Sequence, residues 1–544
     1  MTQINTPLPQ TDAWATIPRR RSLPSIRALL LLWLPAALVT GSILLPSLYL
    51  VIRAMGAENA LELLARTSTW ATAGRTLLLA SSVTAGSILL AIPIAWLTAR
   101  TDLPARGVWA TLSTLPIVIP SYVGAYLLVS AVGPRGMLQG WLEPLGVERL
   151  PDVYGYPGAL YLLTILSYPY ILLGVRATLQ RMDPAQEEAA QSLGLTPWQS
   201  FWRVTLPQLQ PAITGGGLLV GLYVLRDFGA VSILRYNTFT RVIYIQYRST
   251  FDRSAAAALA LVLVAMTLVF LYFEHRSQRR AETHVTTSSL QRPPVIFKLG
   301  RWKWPAQIFL GLVVLAGVAI PAANLLYWLV RGALAGEAIP DLWLSGWNSI
   351  SAAGLAALGT VAAALPVAVV SVRHPNRMSK LLERGAYMAF ALPGIVVALA
   401  LVFFGIRFAL PLYQTLPMLL FAYGILFLPE AVGALRSSLL QIHPNMEEAA
   451  RGLGFGPLCV FRKVTLPLVQ PGMRAGLALV FLTAIKELPA TLILAPIGFK
   501  TLATSVWNAV SEAFFAQAAA PALLLILVSS LPTAMMILRE RRSR

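Results

Sequence analysis

Stretches of about twenty apolar residues recur along the whole chain, and they decide its solvent. They fall near 28–52, 76–99, 108–132, 158–175, 213–236 and 255–273, then again near 306–330, 349–372, 385–409, 415–435, 473–496 and 518–538. A helix of that length crosses the ~30 Å hydrocarbon layer of a bilayer. Charged residues make up only 12% of the chain and the mean hydropathy is +0.66, whereas soluble domains carry about 25% charge. Lipid leaves no water for stray backbone groups, so apolar runs of this length must close their hydrogen bonds as helices. Pro169 and Pro429 interrupt the fourth and tenth runs and make them the least regular. The expected fold is an all-α integral membrane protein. It has two tandem six-helix halves, about 12 transmembrane helices, in parallel repeat.

The formal net charge is +20. Arginine and lysine cluster in short segments between apolar runs, which is the pattern of membrane topology rather than of a nucleic-acid site. The expected partner is therefore the lipid bilayer, with no nucleic acid. The N-terminal Arg19, Arg20 and Arg21, the stretch from Glu274 to Trp304 and the tail Arg539–Arg544 place both termini in the cytoplasm. The loop from Arg235 to Arg253 carries four arginines on the opposite side, as a minority exception. Residues 1–25 are polar, and the run after them reads as an anchor rather than as a short signal core. The polar TTSSLQRPP separates a first half, 1–273, from a second half, 306–544, through a cytoplasmic linker at 274–305.

Catalytic and metal signatures are missing. There is one cysteine, Cys459, and four histidines, His275, His284, His374 and His443, in no HxH, CxxC or HExxH spacing. No GxxxxGK[ST] loop is present, so the chain alone does not read as an ATP hydrolase. We expect no catalytic residue, no cofactor and no enzymatic activity.

One polar sentence is written twice. EEAAQSLGLTPWQSFWRVTLPQLQP begins at Glu187 and EEAARGLGFGPLCVFRKVTLPLVQP begins at Glu447, 260 residues later. Each copy lies between the fourth and fifth runs of its half. Asp183 can cap a helix that begins at Pro184 and stops at Gly194, where glycine admits a left-handed turn. Thr196-Pro197 starts a second helix, the unit as a whole has an Ala190–Leu193–Phe201 apolar side, and Pro207 and Pro211 should break the chain before the next crossing. The second copy repeats this with Pro444, Gly454, Pro457, Phe461, Pro467 and Pro471. Two such units at one membrane face suit a two-fold symmetric partner.

The pattern resembles the EAA loop of the permease subunits of ABC importers, and two loops in one chain resemble the fused double-permease group, with the type I importer permease fold. The resemblance implies that Glu187, Glu188, Ala189, Ala190 and Gly194, with Glu447, Glu448, Ala449, Ala450 and Gly454, couple the chain to two copies of an ATP-binding cassette subunit. It implies a periplasmic substrate-binding protein and a bacterial inner membrane location. LPIVIPSYVGAYLLVSAVGPRG (115–136), DFGAVSIL (227–234), YNTFTRVIY (236–244) and KELPATLILAPIGFKTLAT (486–504) are similar to permeases of ferric iron importers. Importers of thiamine, phosphonate, sulfate or polyamine share the loops, and the alternative within the class is import of thiamine, phosphonate or polyamine. Outside it stands an ion-coupled secondary transporter, which has six-plus-six parallel halves and a charged loop where TARTDLPARG, with Asp102, lies here.

Two charge pairs lie inside apolar runs. Arg226 and Asp227 sit in the fifth run, and Lys486 and Glu487 sit 260 residues later in the eleventh. Charges at mid-membrane cost about 2.5–3.5 kcal/mol on insertion scales. They are expected to flank a translocation path or gate, meeting a cation there or bracing the bundle, for example through an Asp227–Lys486 ion pair. Tyrosines concentrate before residue 273, among them Tyr122, Tyr126, Tyr161, Tyr168, Tyr170 and Tyr223. They would serve as interfacial anchors or as hard oxygen ligands for ferric iron. The identity of any metal-contacting residue stays open.

Overall fold

The computed structural model describes residues 26–55, 60–134, 136–146, 150–248, 253–282, 296–337 and 341–542. The first half builds α1 (Ile26–Met55), α2 (Thr67–Arg100), α3 (Ser121–Val132), α4 (Tyr156–Arg181), α5 (Ala185–Ser192), α6 (Leu206–Arg226) and α7 (Arg253–Glu282). The second half answers with α8 (Gly300–Leu334), α9 (Leu342–Arg373), α10 (Gly394–Phe408), α11 (Leu416–Gln441), α12 (Pro444–Gly452), α13 (Leu466–Ala484) and α14 (Phe515–Arg542). Among the described residues there is no strand, and β-type pairing is limited to one isolated bridge between Thr101 and Phe297.

Eight helices among the described residues are long and apolar enough to cross a membrane, or up to ten if each of two bent pairs counts once. The twelve runs thus do not all become straight spans. The third and ninth runs fold back on themselves. Arg106–Val118 meets Ser121–Gly140 at 97°, and Arg377–Ala391 meets Gly394–Phe408 at 104°. Pro120 and Pro393 stand at the joints in extended conformation, where proline's missing N–H and fixed φ favour a new helix start. The fifth run breaks at Asp227, and in the twelfth the apolar part, Phe515–Ser530, falls short of a full span.

Prolines proved less disruptive than the sequence suggested. Helices α4 and α11 run unbroken through Pro169 and Pro429. Pro207 and Pro211 do not separate the polar unit from α6 either. Three π-turns, Phe201–Thr205, Leu315–Ala319 and Phe461–Thr465, each end two residues before a proline: Pro207, Pro321 and Pro467. Proline fails in an α-helix because it lacks an N–H and its ring crowds the carbonyl four residues back. A π-turn reaches five residues back instead, as when the Leu206 N–H meets the Phe201 carbonyl, and this widening lets the helix continue.

In each half the same three helices pack together: α2, α4 and α6 in the first, α9, α11 and α13 in the second. Close approach depends on small residues, as expected where apolar side chains gain nothing by leaving lipid. A Cβ on Gly216 would lie 3.0 Å from Ile171 Cα, and one on Gly472 would lie 2.5 Å from Ser438 Cβ. The first helices of the halves are exchanged. Helix α1 packs on α9 and α10 of the second half, with Ala36, Ile43 and Leu50 in that core. Helix α8 contributes Ala306, Leu310 and Val313 to the core of the first half. Neither core is complete without a helix from the other half.

Gly472→Val should therefore lower the thermal midpoint of the purified protein in detergent by several degrees, because α11 and α13 must separate. Gly41→Val, where a Cβ meets nothing within 4 Å, should leave it unchanged.

Candidate coupling units and intramembrane charges

The two polar units fold alike. In the first, Asp183 accepts a hydrogen bond from the Ala185 N–H at 3.0 Å, and Gly194 ends the helix at φ +90°. Thr196 and Gln199 then form a reciprocal capping box that opens the second helix. In the second unit, the ring Nδ1 of His443 accepts from Asn445 N–H, and Gly454 turns at φ +86°. Left-handed backbone at both glycines is why the residue recurs there.

The repeated glutamates divide into two roles. Glu187 and Glu447 are buried, as are Ala190 and Ala450, three residues along the same helix face. Glu188, Ala189, Gly194, Glu448, Ala449 and Gly454 are exposed. Arg100 Nη2 donates to Glu187 Oε1 at 2.6 Å, and the Thr205 hydroxyl donates to the same oxygen at 2.7 Å. In the second half Arg373 Nε and the Thr465 hydroxyl each reach Glu447 Oε1 at 3.0 Å. Each glutamate thus ties its unit to the last turn of a long helix, α2 or α9, and to the π-turn after it. A cation at a helix C-terminus is also favoured by the helix dipole. Arg100 and Arg373 were missed because they are 273 residues apart, not 260. The offset that pairs the glutamates does not pair their partners.

The expected Ala190–Leu193–Phe201 apolar side does not form as such. Leu193 is 85% exposed and its counterpart Leu453 is 78% exposed. Trp198 and Trp202 in the first unit, and Phe455 and Leu458 in the second, are exposed beside them. Each unit therefore presents an apolar tip on a polar, braced base.

The intramembrane charges stand at helix breaks. Arg226 is the last residue of α6, and Asp227 is extended. The Asp227 carboxylate accepts from the N–H groups of Ala230 and Val231 at 3.1 and 3.2 Å, and from the Ser121 hydroxyl. Glu487 likewise accepts from Ala490 N–H at 3.2 Å. Both acids cap a short helix, Gly229–Ile233 or Pro489–Leu494, whose first N–H groups would otherwise be unpaired at membrane depth. No Asp227–Lys486 ion pair forms among the described residues. Lys486 Nζ instead reaches the Ile117 carbonyl, at 3.5 Å, across the two halves. Arg226 lies in the field of Glu430 and Glu487, both from the other half.

Glu430 was overlooked in the sequence, although a carboxylate in the tenth apolar run was signal enough. Its Oε2 accepts from the Thr483 hydroxyl at 3.0 Å. The positions 260 residues earlier are Tyr170 and Tyr223, whose rings lie 5.7 Å apart. The pseudo-symmetry of the halves is thus broken at their shared centre. The tyrosines are not interfacial anchors as a group. Tyr126 and Tyr168 are buried and donate to the carbonyls of Phe515 and Ser113 at 2.8 and 2.6 Å, while the buried Tyr122 hydroxyl has no protein partner. Among the described residues no group of three or more His, Cys, Asp or Glu could hold a metal ion.

With this geometry in place, comparison with known proteins is decisive. Residues 87–283 and 355–544 each match the family described as binding-protein-dependent transport system inner membrane component. The chain belongs to that family, as a fused double permease of an ABC importer. The permease is 36% identical over 494 residues to the Fe(3+)-transport system permease protein FbpB 2 of Haemophilus influenzae, covering 90% of this chain and 94% of that one. It is 31% identical over 193 residues to the sulfate transport system permease protein CysT of Escherichia coli, covering 34% of this chain and 68% of that one. It is 29% identical over 210 residues to the molybdenum transport system permease protein ModB of Escherichia coli, with coverage of 36% and 88%. A solved bacterial ABC transporter for alginate import aligns at 20% identity and a TM-score of 0.32, over 49% of this chain and 94% of that chain. Members of this family are multi-pass inner membrane proteins that work with ATPase and substrate-binding partners. The family replaces the secondary-transporter alternative.

Asp227→Asn keeps an oxygen that can accept the capping N–H bonds, so the permease should insert and purify at wild-type levels. Asp227→Leu removes the cap, and about 1–2 kcal/mol of local stability with it. A lower thermal midpoint for Asp227→Leu alone would bear this out.

Proposed function

We propose that the permease is the membrane channel of a ferric iron importer, fed by a periplasmic binding protein and driven by two ATP-binding cassette subunits. The observation that carries the cargo is similarity to an Fe(3+) permease along nearly the whole of both chains, whereas the sulfate and molybdenum permeases match about a third of this one. The drive rests on the two braced units. Their exposed tips, Leu193 with Trp198 and Leu453 with Phe455, belong to units held at the C-terminal ends of α2 and α9 by Arg100 and Arg373. Exposed apolar tips rimmed by Glu188 and Glu448 suit insertion into a groove on a partner protein. In this reading both termini are cytoplasmic and the units face the motor there.

ATP binding draws the two motor subunits together. Force enters through the tips, passes by the Glu187–Arg100 and Glu447–Arg373 contacts into α2 and α9, and reaches the helix breaks at Asp227 and Glu487. Those acids act as caps and braces at the gate rather than as an iron cage. No group of three or more His, Cys, Asp or Glu that could hold a metal ion is found among the described residues, and in this reading the binding protein supplies most of the selectivity.

Proteoliposomes containing the permease, its ATPase and its binding protein should take up ferric iron only with ATP inside the motor compartment. Leu193→Arg with Leu453→Arg should cut uptake at least about tenfold, the loss of two central anchors, without altering insertion. Uptake of sulfate or thiamine in place of iron would overturn the cargo. Uptake driven by an ion gradient without the ATPase would overturn the drive.

A further inference from the structure

The segment between the halves does more than connect them. Residues 296–303 run alongside the end of α2, next to the first coupling unit. The Phe297 N–H donates to the Arg100 carbonyl at 2.8 Å, and the Asp102 N–H donates to the Phe297 carbonyl at 3.1 Å. Asp102 Oδ1 accepts from the Leu299 N–H at 2.8 Å, and its Oδ2 pairs with Lys303 Nζ at 2.9 Å. The Leu299 N–H, then Lys303, hold the Asp102 carboxyl below the usual carboxylate range. The Phe297 ring stacks on Trp96 at 5.9 Å, and Trp96 meets Phe201 of the first unit edge-on at 6.5 Å. Phe201 in turn stacks on the exposed Trp198 at 6.0 Å.

These contacts form a chain from the start of α8 to the tip of the first unit. Helix α8 belongs to the second half but packs in the core of the first. Among the described residues the second unit lacks a strap of this kind. Residues 375 and 376 are Pro and Asn, with no carboxylate where Asp102 stands, and the contact from the exchanged helix α1 is Trp33 on His374 at 6.4 Å.

We propose that Phe297, Leu299 and Lys303, clasped by Asp102, are positioning residues for energy coupling. They form an inter-half strap that fixes the first coupling unit against α2 and passes its displacement directly to the second half. Displacement of the first unit then moves both halves. The mechanical claim concerns the chain itself, while its consequence for transport rests on the motor-driven reading above.

Two readouts separate these levels. In the full chain in lipid nanodiscs, Asp102→Ala combined with Phe297→Ala should speed amide exchange in Ala185–Ser192 about tenfold while changing Pro444–Gly452 less than about twofold. Lys303→Met, which removes only the ion pair, should act in the same direction and more weakly, and it covers the case in which the double variant folds poorly. In the reconstituted transporter, the double variant should hydrolyse ATP within about twofold of wild type but consume at least about five times more ATP per cargo ion moved. Unchanged exchange in the first unit would overturn the strap, whatever the cargo or motor. Changed exchange with an unchanged ATP-to-cargo ratio, or hydrolysis and uptake falling in proportion, would overturn its role in coupling. A wild-type permease without ATP-driven uptake would instead reject the functional reading and leave the exchange result to judge the strap.

Discussion

One buried carboxylate in each half, held between a guanidinium and a threonine hydroxyl, sets where the coupling units stand. A short polar helix of eight or nine residues has little stability alone, because nucleating a helix costs more than a few hydrogen bonds return. Its position must come from outside contacts. Glu187 and Glu447 supply them by facing inward, which frees the neighbouring Glu188 and Glu448 to face outward. The first clamp is the drier one. The side chains of Arg100 and Glu187 are 1% and 4% exposed, against 12% and 8% for Arg373 and Glu447. A buried ion pair of this kind is a poor source of net stability compared with apolar packing, but losing one partner is costly. That asymmetry suits a joint that holds its geometry under load, as the proposed coupling requires.

The exchanged helices give the clamps something to act on. Because α1 completes the second core and α8 completes the first, motion of either three-helix core drags a helix of the other. The breaks at Asp227 and Glu487 sit where the cores meet, beside the bent third and ninth runs. Close packing there is strict: a Cβ on Gly394 would collide with the Glu487 carboxylate, and one on Gly229 would lie 2.6 Å from Tyr122 Cβ. The same residues that satisfy the broken backbone therefore stand against the joints of the bent helices.

Much of this was legible in the sequence because apolar length and a repeated polar sentence report directly on physics. The membrane solvent, the two halves and the twin units with their Gly194 and Gly454 turns follow from pattern alone. The bends did not, since Pro120 and Pro393 look no different in sequence from Pro169 and Pro429, through which helices run unbroken. What separates them is tertiary packing. Nor did the inward turn of Glu187 show, because an acidic pair at a helix start reads as solvated until its buried arginine is known. Arg100 and Arg373 escaped the fixed 260-residue offset, and Glu430 escaped because its pseudo-equivalent, Tyr170, carries no charge. Repeats reveal what two halves share and conceal what only one of them has.

The central claim is that the buried clamp, rather than the polar unit's own helix, fixes the coupling geometry. A double-mutant cycle on Arg100 and Glu187 tests it most directly, read by thermal unfolding of the full chain in nanodiscs. The account predicts that Arg100→Met and Glu187→Met alone each cost about 3–5 kcal/mol, the penalty of an orphaned buried charge, and that the two together cost far less than their sum. Strictly additive losses, or single replacements without effect, would contradict it.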